Sequence, residues 1–105
     1  MELAHLTERA MQVRQRFNDT AAARGGRPWT REEVMQGFVV DVGDLMKLTM
    51  AKAGARPVDD LDRKLAHELS DCLWSVLVLA KLHGVELESA FLATMDGIDG
   101  KLSRP

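Results

Sequence analysis

Residues 31–83 decide the fold, because they carry two matched acid pairs, Asp41-Val42-Gly43-Asp44 and Glu68-Leu69-Ser70-Asp71. The acids of each pair are three residues apart, so on a helix both side chains project from one face. The run Gly54-Ala55-Arg56-Pro57 lies midway between the pairs and is typical of a turn. The pattern therefore predicts two antiparallel helices, each with a pair of acids on one face.

In an antiparallel hairpin with its apex near Arg56, residues at equal distances from the apex face each other. Asp41 then faces Asp71, and Asp44 faces Glu68. Four carboxylates at one level repel one another and raise one another's pKa values unless a cation lies among them. Two interpretations fit this pattern: a metal site between the helices, or acids that are solvated on outer helix faces.

The stripe that contains Asp41 favours the metal site. Val34, Phe38, Leu45 and Leu48 recur on the same side of the second helix, and an acid on an inward face must be paired or metal-bound. Carboxylate oxygens that leave positions for water and phosphate suit Mg²⁺, with Mn²⁺ as the other choice. Zinc is a weaker interpretation, since the sequence lacks a zinc-protease histidine pair.

Length and composition limit the classes of protein to which this chain can belong. The chain has 105 residues, 46% of them apolar, with a net charge of -2 and one cysteine, Cys72. We expect a single domain over residues 1–105, without the basic stripe of a nucleic-acid binder and without a membrane span or signal peptide. A lone cysteine excludes an internal disulfide and fits a cytoplasmic location.

Apolar periodicity and helix signals predict an all-α fold with four helices. Their expected bounds are about 2–23, 31–53, 60–83 and 86–98. Thr30 and Glu33 form a capping box at the start of the second helix, whereas Asp59, Asp60 and Asp62 are expected only to cap the third. The third helix is apolar nearly all round over residues 72–80, which predicts that a neighbouring subunit covers one side.

The two acid motifs together with residues 77–91 resemble the MazG-type all-α nucleoside triphosphate pyrophosphohydrolases. The likeness covers about residues 29–104. The family carries E-x-x-E on one helix and E-x-x-D on the next, with Mg²⁺ held between them. Asp41 and Asp44 correspond to the first pair, and Glu68 and Asp71 to the second. Both first-pair glutamates are aspartates here, and Val40 stands where the family often has a further glutamate.

The resemblance implies a Mg²⁺-dependent hydrolysis of a nucleoside triphosphate to the monophosphate and pyrophosphate, as nucleotide-pool housekeeping. It assigns metal binding and catalysis to Asp41, Asp44, Glu68 and Asp71. It also implies a four-helix, MazG-like bundle completed by assembly into a homo-dimer or homo-tetramer. Trp74, three residues after Asp71, is either a base-stacking residue or a core or interface residue. Lys101 and Arg104 are candidates for phosphate binding or, equally, parts of a solvated tail.

Two other functions compete with this one. The departures in the first motif favour a catalytically weak or inactive relative that binds a nucleotide or acts as a helical regulatory module. The third hypothesis is a helical dimerisation protein without a ligand. Thermal stability measured during a metal titration separates it from the other two, because a metal that binds only the folded state raises its stability.

Overall fold

Four helices make up the computed structural model, which describes residues 2–104 and contains no strand in that range. They are α1 (Leu3–Ala23), α2 (Arg31–Lys52), α3 (Leu61–Leu82) and α4 (Leu87–Leu102). The all-α prediction and the number of helices are confirmed. The largest difference in bounds is at α4, which continues past Ile98 and through Gly100 to Leu102.

The start of α2 is held by the predicted capping box. The Thr30 hydroxyl accepts a hydrogen bond from the Glu33 amide at 3.2 Å, and the Glu33 carboxylate accepts one from the Thr30 amide at 3.1 Å. The guanidinium of Arg27 also binds Glu33. The hydrogen bond from Arg27, followed by that from Thr30, lowers the pKa of Glu33 to about 2. The amides of Thr30 and Glu33, which have no partner within the helix, are therefore both hydrogen-bonded, and the Glu33 carboxylate is paired with Arg27.

The start of α3 differs from the expected acid cap. Asp60 occupies the N-cap position with a left-handed backbone (φ 56°), and its side chain makes no capping hydrogen bond. Its carboxylate instead accepts a hydrogen bond from the Arg63 guanidinium. Asp62 pairs with Lys52 at 2.6 Å, which ties the end of α2 to the first turn of α3.

The core lies where α1 and α2 pack on α3. Ala10, Val34, Leu77 and Val78 form its buried centre, and Leu6, Trp74 and Leu87 are among the partly buried side chains around it. Helix α3 alone supplies four buried residues, namely Cys72, Ser75, Leu77 and Val78. Much of the apolar run at residues 72–80 is thus covered by helices of the same chain.

Helix α4 joins this core only through its first turn. Leu87 packs against the core, whereas every later residue of the helix is exposed, including Phe91, Met95 and Ile98. No helix in the described part of the chain is both long and apolar enough to cross a membrane.

Candidate metal centre

Three of the four predicted acids come together where α2 and α3 face each other. Asp41 and Asp44 extend from successive turns of α2, and Glu68 extends from α3. One carboxylate oxygen from each of these residues lies within 4.8 Å of the others. The predicted pairing of Asp44 with Glu68 across the hairpin is therefore present, and Asp41 joins them.

Asp71, the fourth predicted acid, is turned toward its own helix. Its Oδ2 lies 3.2 Å from Nε2 of His67, one turn earlier in α3. Its charge still acts on Glu68, because it contributes to the raised pKa of that residue. Asp71 thus borders the three-acid cluster, with its carboxylate engaged by a histidine.

Glu68 has a carboxylate oxygen that the fold removes from solvent. Its Oε1 is buried and has no hydrogen-bond partner among residues 2–104. Burial first, and then the negative charge of Asp41, raise the pKa of Glu68 above its ordinary value. An ionised carboxylate in such a place is costly unless a positive charge compensates it.

A hard divalent cation fits this donor set. Three carboxylate oxygens from two helices match the ligands that Mg²⁺ and Mn²⁺ prefer, and three donors leave coordination positions for water or phosphate oxygens. Asp41, Asp44 and Glu68 would hold such an ion. Gly43, between the two α2 acids, has nothing within 4 Å of the place where a Cβ would lie. No other helix approaches Gly43 within residues 2–104, and the space there stays open.

A cavity of about 600 Å³ opens beside the acids, bounded by α1, the α1–α2 connection, α2 and α3. Asp41 and Asp71 line it on one side. Its other walls bring together three aromatic and three cationic side chains: Phe17, Trp29, Trp74, Arg14, Arg24 and Arg27. A planar apolar group and a negatively charged group could both be accommodated in one such space.

Trp74 packs against the core and also lines the cavity. Its indole Nε1 donates to the Ala10 carbonyl at 3.1 Å, and its ring meets Phe17 edge to face at 5.8 Å. The two alternatives left open by the sequence are therefore compatible, because the same ring that anchors α1 to α3 also lines the cavity. Its orientation is held by the core rather than by a ligand.

Trp29 lies over α2 at Gly37. A Cβ at residue 37 would be 2.8 Å from Cζ3 of Trp29, so any larger residue there would have to displace the ring. The Arg14 guanidinium donates to the Trp29 carbonyl at 2.7 Å and holds the α1–α2 connection against α1. The spacing of residues along α2 does not identify Trp29 as the neighbour of Gly37.

The cations at the cavity come from α1 and the α1–α2 connection. Arg14 and Arg27 are engaged by Trp29 and Glu33, whereas Arg24 forms no ion pair within the described residues. Lys101 and Arg104 do not line this cavity, and their proposed contact with phosphate stays a prediction. Sequence reasoning missed Arg14, Phe17 and Arg24; the only available signal was their place on or just after an amphipathic helix.

Comparisons with protein families, with curated proteins and with solved structures find no match to this chain. The MazG-type resemblance therefore rests on the two acid motifs and on residues 77–91.

Proposed function

We propose that the protein is a Mg²⁺-dependent nucleoside triphosphate pyrophosphohydrolase that yields a nucleoside monophosphate and pyrophosphate. The observation that carries the proposal is the acid cluster of Asp41, Asp44 and Glu68, in which Oε1 of Glu68 is buried without a partner among residues 2–104. Asp41 of this cluster also lines a cavity with aromatic and cationic walls. A cation satisfies the acids, and a nucleotide uses both kinds of wall. This combination favours a nucleotide enzyme over a helical module without a ligand.

Each part of the site has its own task in this proposal. Asp41, Asp44 and Glu68 hold the ion, and the Asp71 carboxylate, oriented by His67, borders the same space. When bound, Mg²⁺ neutralises phosphate charge and lowers the pKa of a coordinated water. Trp29 and Trp74 present ring surface for the base, and Arg24 supplies a cation that no acid of the described chain neutralises.

The finer features of the resemblance belong to the same proposal. We infer a MazG-like form of the bundle, completed by assembly with further copies of the chain. A cytoplasmic location accords with a nucleotide substrate and with the single free cysteine, Cys72, which is buried. Phosphate contacts by Lys101 and Arg104 are also part of the proposal.

Release of pyrophosphate from ribo- and deoxyribonucleoside triphosphates, with and without Mg²⁺, tests the activity. We expect release in the presence of Mg²⁺, and a loss of about a hundredfold or more in Glu68→Gln, since the cation loses a charged ligand. Asp71→Asn tests the fourth acid in the same assay. The matched control is Glu8→Gln, on an exposed part of α1. Release that is equal in wild type and Glu68→Gln would refute this site.

A second candidate function is nucleotide binding without turnover. It is favoured by the shorter first-pair acids, Asp41 and Asp44, and by the engagement of Asp71 with His67. Calorimetric titration with a non-hydrolysable triphosphate and Mg²⁺ distinguishes the two. Binding that depends on Glu68, without release of pyrophosphate from any triphosphate, would establish this second function instead of the first.

A further inference from the structure

The α1 wall of the cavity carries a polar side chain that has no task in the proposed function. Arg14, Asn18 and Ala21 follow one another at spacings of four and three residues, so they share one face of α1, and all three line the cavity. Arg14 donates to the Trp29 carbonyl, which places this face against the α1–α2 connection. Asn18 therefore lies one turn after Arg14 on the face that Trp29 borders.

The side-chain amide of Asn18 has no hydrogen-bond partner among residues 2–104, although the residue is half-buried. Its polar neighbours on α1 are engaged, since Gln15 donates to Asp19 at 2.9 Å and Arg14 donates to the Trp29 carbonyl at 2.7 Å. A primary amide withdrawn from water loses free energy unless its donor and its acceptor find partners. A ligand in the cavity supplies such partners.

Two other neutral residues with polar side chains, Ser70 and Thr20, line the cavity within the described part of the chain. Ser70 donates to the Ala66 carbonyl at 2.8 Å within α3, so its donor is already used. Thr20 is exposed and also borders the outer surface of α1. Asn18 is thus the half-buried side chain on the cavity wall that offers a ligand both a donor and an acceptor.

We propose that Asn18 selects the base of the nucleotide by hydrogen-bonding to the edge of its ring. The inference rests on the proposed function, which takes the ligand to be a nucleotide. A base stacked on Trp29 or Trp74 directs its polar edge sideways, and proteins read stacked bases by hydrogen bonds to that edge. One donor and one acceptor on a single amide pair bidentately with a base. Asn18 lies outside residues 29–104, over which the family resemblance extends.

The chemistry of the base edges gives the proposal a signature. Each of the four bases has a donor next to an acceptor on its base-pairing edge, so an amide pairs with any of them. Guanine is the only one with two adjacent donors, N1–H and N2–H. A carboxylate only accepts hydrogen bonds, so Asn18→Asp should shift the preference toward guanine. A purely structural role of Asn18 would not change the order of preference among bases.

The test uses the tryptophan fluorescence of the full chain, because its two tryptophans, Trp29 and Trp74, both line the cavity. The probes are the monophosphates of adenosine, guanosine, cytidine and uridine, without Mg²⁺. We expect saturable quenching of the wild type by at least one probe and about fivefold or more weaker binding in Asn18→Ala. In Asn18→Asp the ratio of Kd values should move toward guanosine by a similar factor. The matched control is Gln15→Ala, an exposed amide on α1 that does not line the cavity and should bind as wild type.

Equal affinities in wild type and Asn18→Ala would overturn the proposal, as would an unchanged order of preference in Asn18→Asp or the absence of quenching in wild type. The order of preference is a ratio within one variant, so it does not depend on the fraction of that variant that is folded. Hydrolysis plays no part in these measurements. Binding that depends on Asn18 without release of pyrophosphate would refute the proposed reaction and keep this assignment, whereas release with binding that ignores Asn18 would do the reverse.

Discussion

Among single residues, Glu68 is the one whose surroundings bear most directly on the candidate site. Its Oε1 is buried without a hydrogen-bond partner among the described residues, and its carboxylate shares a cluster with Asp41 and Asp44. In the proposed metal site, folding stability and ligand binding make opposite demands on this side chain, because its charge is repelled by the neighbouring acids and attracts the cation.

Replacing Glu68 by Gln should therefore have effects of opposite sign with and without Mg²⁺. Without metal the variant should unfold at a higher temperature than wild type, because a repelling charge is gone. With Mg²⁺ at a hundred times the wild-type Kd, wild type should gain about 2.7 kcal/mol and the variant almost nothing. Thermal denaturation with and without Mg²⁺ measures both, with Glu8→Gln as control. Equal stabilisation of Glu68→Gln by Mg²⁺ would contradict the ligand assignment.

Gly37 is the second residue whose identity follows from one contact. In an open helix, glycine to alanine stabilises by about 1 kcal/mol, and Gly100 has such open space in α4. Gly37→Ala should lose that gain, because the new methyl displaces the Trp29 ring. Chemical denaturation should show a more stable Gly100→Ala and no gain in Gly37→Ala. Tryptophan emission should shift only in Gly37→Ala; an unchanged spectrum would argue against this ring contact.

At the level of elements, α2 and α3 form the hairpin that creates the site, and each begins differently. Helix α2 begins with reciprocal hydrogen bonds between Thr30 and Glu33, reinforced by Arg27. Helix α3 begins at Asp60 without a side-chain cap and is tied to α2 through Asp62 and Lys52. The two beginnings should therefore respond differently to acid.

The capping box predicts an acid-sensitive contribution to stability. The pKa of Glu33 falls from an ordinary 4.5 to about 2 on folding, so its stabilising effect is complete above pH 4.5 and is lost as the pH falls through about 2. Glu33→Gln should be less stable than wild type near neutrality, and the difference should disappear in that acid range. Urea denaturation across pH, with Glu32→Gln as control, measures it. A constant difference down to pH 2 would contradict the assignment to Glu33.

The contribution of α3 to the core can be measured with two valines. Val78 is 0% exposed, whereas Val85, just after α3, is 46% exposed. Val78→Ala should cost about 2 kcal/mol, because two methyl groups leave a cavity, and Val85→Ala less than about 0.5 kcal/mol. Equal losses in chemical denaturation would mean that α3 is not the central helix of the core.

For the whole molecule, the small core and the large exposed area predict that stability depends on association with further copies of the chain. A folded state stabilised by a second copy has a Tm that rises with protein concentration. We expect that rise for wild type. Calorimetry at several concentrations measures it. A Tm that is independent of concentration in wild type would contradict assembly with further copies of the chain.

The sequence by itself determined the four helices, the capping box at Thr30 and Glu33, and the approach of Glu68 to Asp41 and Asp44. Helix periodicity and turn residues are local properties, and an antiparallel hairpin relates its two arms by simple counting. Only the tertiary structure decided that Asp71 turns to His67, that Trp29 covers Gly37, and that α1 and its connection supply the cavity's aromatic and cationic walls. Those features depend on side-chain direction and on contacts between distant segments, which spacing along one helix does not contain.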